Sequence, residues 1–151
     1  KFVNDITNLE GSLDYKFTYI QKSMEKLDGV TVGYNNKRFE LIDEKRIHTD
    51  KDYNFLKEMD ENEPNYHVSI IQTLKEKETG GIFLHATIHT YWNPKFEYMK
   101  LIQVHVLNKN IAMQREKIAS QMKIDVDTIP ILVSGDFNSM PDSCTVRYYN
   151  E

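Results

Sequence analysis

The stretch "TIPILVSGDFNSMPDS", residues 128–143, decides how the rest of the chain is read. It runs from the apolar Ile131-Leu132-Val133 through Gly135 to Asp136, Phe137, Asn138 and Ser139, and closes on Met-Pro-Asp-Ser. A short continuous apolar run of this kind reads as a fully buried strand. Its polar end would deliver side chains beyond the carboxyl end of the strand, where ligands collect in α/β sheets. Asp136 and Asn138 stand two residues apart, so both point to one side in extended chain. Gly135 permits a tight bend just ahead of them. The same residues are also turn formers, and "GDFNS" on its own reads equally well as an Asx-turn.

Working back from this strand, residues 95–122 carry Leu101, Val104, Leu107, Ile111, Ile118 and Met122 at helical spacings. Lys and Gln are placed on the opposite side of that helix. "DVDTIP" breaks it before the final strand. Upstream, "YHVSIIQTLKEK" (66–77) and "GGIFLHATIH" (80–89) read as two strands of a hairpin, with glycines after a charged tip. "DGVTVGYNNKRFELID" (28–43) also reads as a hairpin: Val30, Val32 and Tyr34 alternate, Asn35-Asn36 turns, and Phe39, Leu41 and Ile42 resume the pattern. The acidic segment 48–65 reads as a surface loop or short helix. Strands outnumber helices and a helix must cover a sheet face, so an α/β or α+β sandwich follows.

The 151 residues make one domain, 1–151, with 40% hydrophobic and 28% charged residues, the ordinary balance of a globular chain. No run is apolar and long enough for a membrane span. Cys144 is the only cysteine, compatible with a reducing compartment. A formal charge of −4 means that any polyanion would be met by a local basic strip or a metal ion. The chain opens on Lys1 with neither an initiator Met nor a signal pattern, so an excerpt of a longer protein is expected.

A second strand end, "ATIHTYWNP", carries His89, Trp92, Asn93 and Pro94. Together the two ends suit phosphodiester hydrolysis. Asp136 is the carboxylate to orient or deprotonate a water. Asn138 can donate to a phosphate oxygen or ligate a hard cation. His89 can stabilise the charge developing on phosphate, with Mg²⁺ as Lewis acid. Each also has a plain structural reading: His89 as a hydrogen-bonded strand-end histidine, Trp92 as a half-buried packing residue. His48, His67, His85 and His105 show no ligand spacing and are assigned to structure or surface.

"HATIHTYWNPKFEYMKLIQ" followed by "IPILVSGDFNSMPDS" resembles the endonuclease/exonuclease/phosphatase superfamily. Within it, the string is most similar to the carbon-catabolite-repressor type deadenylases and their angel and nocturnin relatives. That branch has a strand ending in Asn-Thr-His, an aromatic-rich turn with a Pro, and Lys-Leu-x-Gln opening a helix. His89, Trp92, Pro94, Lys100, Leu101 and Gln103 fit those places. Phe17, Lys22, Ser23, Asp28, Gly29 and Phe39 match the branch's earlier pattern.

The resemblance implies a four-layer α/β/β/α sandwich of the DNase I-like kind, incomplete at both ends, and Mg²⁺-dependent 3′-5′ removal of adenylates from RNA. It implies that Asp136 serves the attacking water, that Asn138 and His89 serve the scissile phosphate, and that Asp136 and Asn138 are the metal-holding candidates. Pro94 would lie near the bound base, Trp92 is a further substrate-binding candidate, and Lys22 a lesser candidate for backbone contact. RNA and partner proteins or further chain segments follow from the same likeness; a cytoplasmic location is expected, with the mitochondrion second because the true N-terminus is not in view. Thr87-Ile88 stands where the family has Asn-Thr, with Ile88 the more consequential change, and Met24 stands where it has Arg. The family's metal-holding Glu lies before the matched region and its Asp-His pair after it, and neither occurs in this sequence. This piece alone is therefore expected to hydrolyse RNA weakly or not at all. The alternative is a catalytically degenerate relative acting as an RNA-binding or assembly module.

Overall fold

The computed structural model describes residues 14–23, 28–49 and 67–150. Met24 and the acidic residues 50–65 lie outside them. β1 (Tyr15–Gln21) and β2 (Gly29–Asn35) form an antiparallel pair, Tyr15 opposite Asn35 and Gln21 opposite Gly29. A second sheet has the order β3-β4-β5-β6: β3 (Phe39–His48), β4 (Val68–Glu76), β5 (Ile82–His89) and β6 (Ile131–Asp136). Between β5 and β6 runs the long helix α1 (Glu97–Met122), and after β6 comes the short helix α2 (Cys144–Asn150).

The β4–β5 hairpin forms where the sequence places it. Glu76 closes its tip by accepting from the Thr79 backbone N–H and hydroxyl, both at 2.7 Å. Gly80 takes the left-handed φ of 74° that the turn requires.

The 28–43 segment behaves differently from its reading as a hairpin. Its turn is real: Asn35 Oδ1 accepts from the backbone N–H groups of Lys37 and Arg38 at 2.9 and 3.3 Å. Yet the partner of β2 is β1, and the partner of β3 is β4. The turn hands the chain from one sheet to the other. Turn chemistry fixes where the chain bends, whereas pairing depends on which edges lie alongside. The adjacent Leu41 and Ile42 mark a bulge: Leu41 pairs with Leu74 and Asp43 with Thr73, leaving Ile42 extra.

Alternation assigns the two faces of the four-stranded sheet. Ile47, Ile71, Leu84, Ala86 and Ile88 form one core with Val106, Leu107, Ile111 and Ile118 of α1. Val68 and Ile70 form the other core with Ile20, Val30 and Val32 of the small sheet. The described layers are thus sheet, sheet and helix, as in a sandwich with helices outside. Polar ties cross both gaps. Gln72 donates to Thr18 Oγ1 of the small sheet at 3.2 Å and, within its own sheet, to its cross-strand neighbour Glu44 Oε2 at 3.2 Å. Gln114 donates to Asp43 Oδ2 at 2.7 Å between sheet and helix.

Two further expectations are corrected. β6 is not fully buried: it is the edge strand in the observed order, and Ile131 and Leu132 are 42% and 54% exposed. Its apolar run matches a buried strand in composition, but only the residues meeting α1 find cover among the described residues. The inner face of α1 is not purely apolar either. Lys100, Gln103, Asn110 and Gln114 lie on it, while Met122 is 41% exposed. Each of these four finds a hydrogen-bond partner there, which offsets the cost of burying it.

Candidate active site

β5 and β6 run parallel, so their carboxyl ends coincide, and the register sets His89 directly against Asp136. Paired residues share a face, and this one faces the small sheet: Thr87, two residues before His89, is paired with Ile70 of the core shared with that sheet. Gly135, one residue earlier, sits against Ile88 with φ 140°, and a Cβ there would fall 1.9 Å from the Ile88 carbonyl oxygen. Glycine is what lets β6 close on β5 at the point where Asp136 emerges.

Lys22, just past β1, reaches across the gap: its Nζ is 3.3 Å from His89 Nδ1 and 2.7 Å from Asp28 Oδ2. An ammonium group has donors only, so Nδ1 accepts, and the neutral ring carries its proton on Nε2. Burial, and then the Lys22 charge, push His89 below the ordinary imidazole range, with Asp136 and Asp28 pulling the other way. The imidazole is therefore neutral at pH 7.

Asp136 Oδ1 accepts from the Asn138 backbone N–H at 2.8 Å, and Asn138 takes φ 46°. Both readings of "GDFNS" hold together: it is an Asx-turn, and it sits at a strand end beside a histidine. Asn138 Nδ2 donates to the Thr90 carbonyl at 3.0 Å. Thr90 returns the tie, its N–H bonding the Asp136 carbonyl at 3.0 Å and its hydroxyl the Phe137 carbonyl at 2.5 Å. Thr90 was not singled out by the sequence reading; a small hydroxyl residue directly after a strand-end histidine was the available signal.

The structure thus brings Lys22, His89, Asp136 and Asn138 together. Trp92 and Pro94 lie on the exposed turn that follows β5, with Trp92 63% exposed and its ring tilted on Tyr91. Asn93 caps the following 3₁₀ turn Pro94–Phe96 by accepting from the Lys95 N–H. Ile88 belongs to the helix-facing core, so the hydroxyl the family carries there would point away from His89. Of the two departures, Thr87 is the one that shares the face of His89. Three of the remaining histidines are engaged in structure: His85 with Ser134 at 3.0 Å, His67 with the His89 carbonyl at 3.3 Å, His105 with the Tyr148 hydroxyl at 2.9 Å; the fourth, His48, ends β3.

Among the described residues, no group of three or more His, Cys, Asp or Glu side chains converges as a metal cluster. The donors present are a carboxylate, Asp136, and an amide oxygen, Asn138. That set fits a hard cation such as Mg²⁺, which is held through one or two carboxylates with water and substrate oxygens completing its shell.

The fold has close solved counterparts. The catalytic domain of human nocturnin, solved with a bound sulfate, superposes with a TM-score of 0.71 at 21% identity, covering 99% of this chain and 52% of that one. ANGEL2, a 2′,3′-cyclic phosphatase solved with adenosine-2′,3′-vanadate, gives 0.74 at 21% identity over 98% and 39%. A Bacteroides thetaiotaomicron endonuclease/exonuclease/phosphatase family protein gives 0.69 at 14% identity over 98% and 50%.

The chain has the endonuclease/exonuclease/phosphatase fold.

By sequence, the chain is similar to the 3′-5′-exoribonuclease subunit Ccr4 of the CCR4-Not complex. It is 27% identical to that of Aspergillus niger over 82% of the chain and 25% identical to that of Saccharomyces cerevisiae over 88%. The Schizosaccharomyces pombe subunit is 36% identical over 50% of the chain. The chain spans 22%, 17% and 13% of the lengths of these curated relatives. No family model matches it. The resemblance read from the strand-end motifs therefore holds, and the β5 and β6 ends of this endonuclease/exonuclease/phosphatase fold carry the candidate site. No described helix is long and apolar enough to cross a membrane.

Proposed function

We propose that this chain contributes the phosphate-handling half of a Mg²⁺-dependent 3′-5′ exoribonuclease of the deadenylase kind. The observation that carries the reading is the His89–Asp136 pair, set side by side on parallel strand ends with Lys22 bridging from the other sheet. Similarity to 3′-5′-exoribonuclease subunits of CCR4-Not complexes supports RNA attacked from its 3′ end and protein partners of a CCR4-Not-like assembly; a poly(A) tail as that end, and a cytoplasmic place of action, belong to the proposal.

In this reading Asp136 orients the attacking water and takes its proton through the carboxylate oxygen not needed by the Asn138 turn. Asn138 is aimed at the scissile phosphate by its left-handed backbone. His89 donates from Nε2 to a non-bridging phosphate oxygen as negative charge grows there, while Lys22 holds the ring in that tautomer. The P–O bond to the preceding ribose 3′ oxygen breaks, releasing a nucleoside 5′-monophosphate. A bound Mg²⁺, held by Asp136 and Asn138, would supply Lewis-acid stabilisation of the same charge. Trp92 and Pro94 offer an exposed ring and a rigid apolar surface to a base.

The test follows monophosphate release from 5′-labelled oligo(A) by the full-length parent protein and its Asp136→Ala variant, with Mg²⁺ and with EDTA. Mg²⁺-dependent shortening that the variant loses supports the reading. An inactive parent, across RNA, DNA and small phosphodiesters, overturns it in favour of a degenerate RNA-binding or assembly module.

A further inference from the structure

Glu97, Lys100 and Gln103 recur every third residue at the start of α1, so all three lie along one side of the helix. Gln103 is buried at 1% exposure, and its Oε1 accepts from the Tyr91 backbone N–H at 2.8 Å, in the turn that leaves β5. Lys100, also 1% exposed, donates from Nζ to the Asn138 carbonyl at 2.5 Å, in the turn that leaves β6. Glu97 lies 3.3 Å from the Lys100 ammonium and accepts from the Thr145 hydroxyl at 2.7 Å, at the start of α2. Two turns of one helix thus grip both strand-end loops and the helix that follows.

Stability alone is a weak reason to keep an ammonium there. Burying a charge is costly, and an apolar residue of similar length often serves a core as well or better. Besides its ion pair with Glu97, the ammonium makes one bond that bears on the site, to the Asn138 carbonyl. That residue has its N–H held by Asp136, its side-chain amide by Thr90 and its carbonyl by Lys100. Three bonds from three elements over-determine a left-handed backbone that an asparagine adopts only occasionally.

We propose that Lys100 is a positioning residue for phosphodiester cleavage: its buried ammonium locks the Asn138 carbonyl and so fixes where the Asp136 and Asn138 side chains meet the phosphate. The inference rests on the hydrolase reading above and goes beyond it by naming a residue that never touches substrate. A positioning residue alters the transition state more than ground-state binding, so its loss falls on kcat.

The test uses the full-length parent with Lys100→Met, Asn138→Ala, the pair together, and the charge-balanced Glu97→Gln/Lys100→Met, each checked for folding by circular dichroism. In Lys100→Met, kcat on oligo(A) should fall about 10- to 100-fold, the scale of a misplaced reacting group, with KM within about twofold. Adding Lys100→Met to Asn138→Ala should cause a smaller further loss than Lys100→Met causes alone, because part of its effect passes through the Asn138 side chain and the rest through Asp136. The charge-balanced variant should stay slow, and it supplies the same readout if Lys100→Met does not fold. Full kcat in Lys100→Met beside a dead Asp136→Ala overturns the inference and spares the hydrolase reading. Recovery in the charge-balanced variant also overturns it, since the loss then came from an unpaired Glu97. A parent with no activity overturns both.

Discussion

Lys22 Nζ stands 3.3 Å from His89 Nδ1, joining the end of β1 in one sheet to the end of β5 in the other. The contact does two things at once. It selects the imidazole tautomer with the proton on Nε2, and it places a cation where a protonated histidine would be repelled.

The pH dependence of stability follows with its sign. His89 in the folded protein titrates below its ordinary range because of burial and Lys22. Between that value and the unfolded value near 6.5, the unfolded chain binds more protons, so stability is fully present above about pH 6.5 and is lost as pH falls through the folded value. Urea midpoints of the parent and His89→Gln, measured from pH 8 to pH 5, should converge or cross as pH falls, because only the parent carries this penalty. Parallel curves would count against it.

Gly135→Ala should destabilise on the order of 3 kcal/mol or more, because its Cβ would overlap the Ile88 carbonyl at 1.9 Å and its φ of 140° suits glycine alone. The Cβ is fixed by its own backbone and the atoms it meets are Ile88 backbone, so no rotamer change relieves the clash. Chemical denaturation of the variant checks the magnitude. A loss within about 0.5 kcal/mol would mean that β6 meets β5 differently at this point.

Leu107→Ala should cost about 2–5 kcal/mol, the range for emptying a closed core site. Leu107 is fully buried between α1 and the sheet, in one cluster with Ile71 and Ile118. The urea midpoint should drop with an unchanged m-value. A loss under about 1 kcal/mol would mean that the helix repacks over the sheet.

The β4–β5 hairpin, the extent of α1 and the strand of 128–143 with the Asx-turn that ends it were all legible beforehand, because each is written in local signals. Alternation, a helical period, and a glycine before polar residues need no distant partner to be read. The 28–43 segment shows where that ends. Its turn residues were read properly and the turn forms, but nothing in Val30-to-Ile42 encodes that the strands on either side join different sheets. Lys100 shows the same limit for the site. As a lysine on a helix it reads as solvated, and only the approach of the β6 turn supplies the carbonyl that holds it inside.

By itself, then, the sequence determined the β4–β5 hairpin, α1, the β6 strand and the residue types capable of phosphate chemistry, His89 at one strand end, Asp136 and Asn138 at another; β1 and α2 it did not mark. Tertiary structure alone decided that these ends lie side by side, that Lys22 crosses from the other sheet to meet His89, and that Lys100 and Thr90 lock the turn between them. The physical reason is range. Backbone preference and periodicity act within a few residues of chain, whereas hydrogen bonds such as those of Lys22 and Lys100 join atoms 67 and 38 residues apart, and these exist only once packing has brought the strands together.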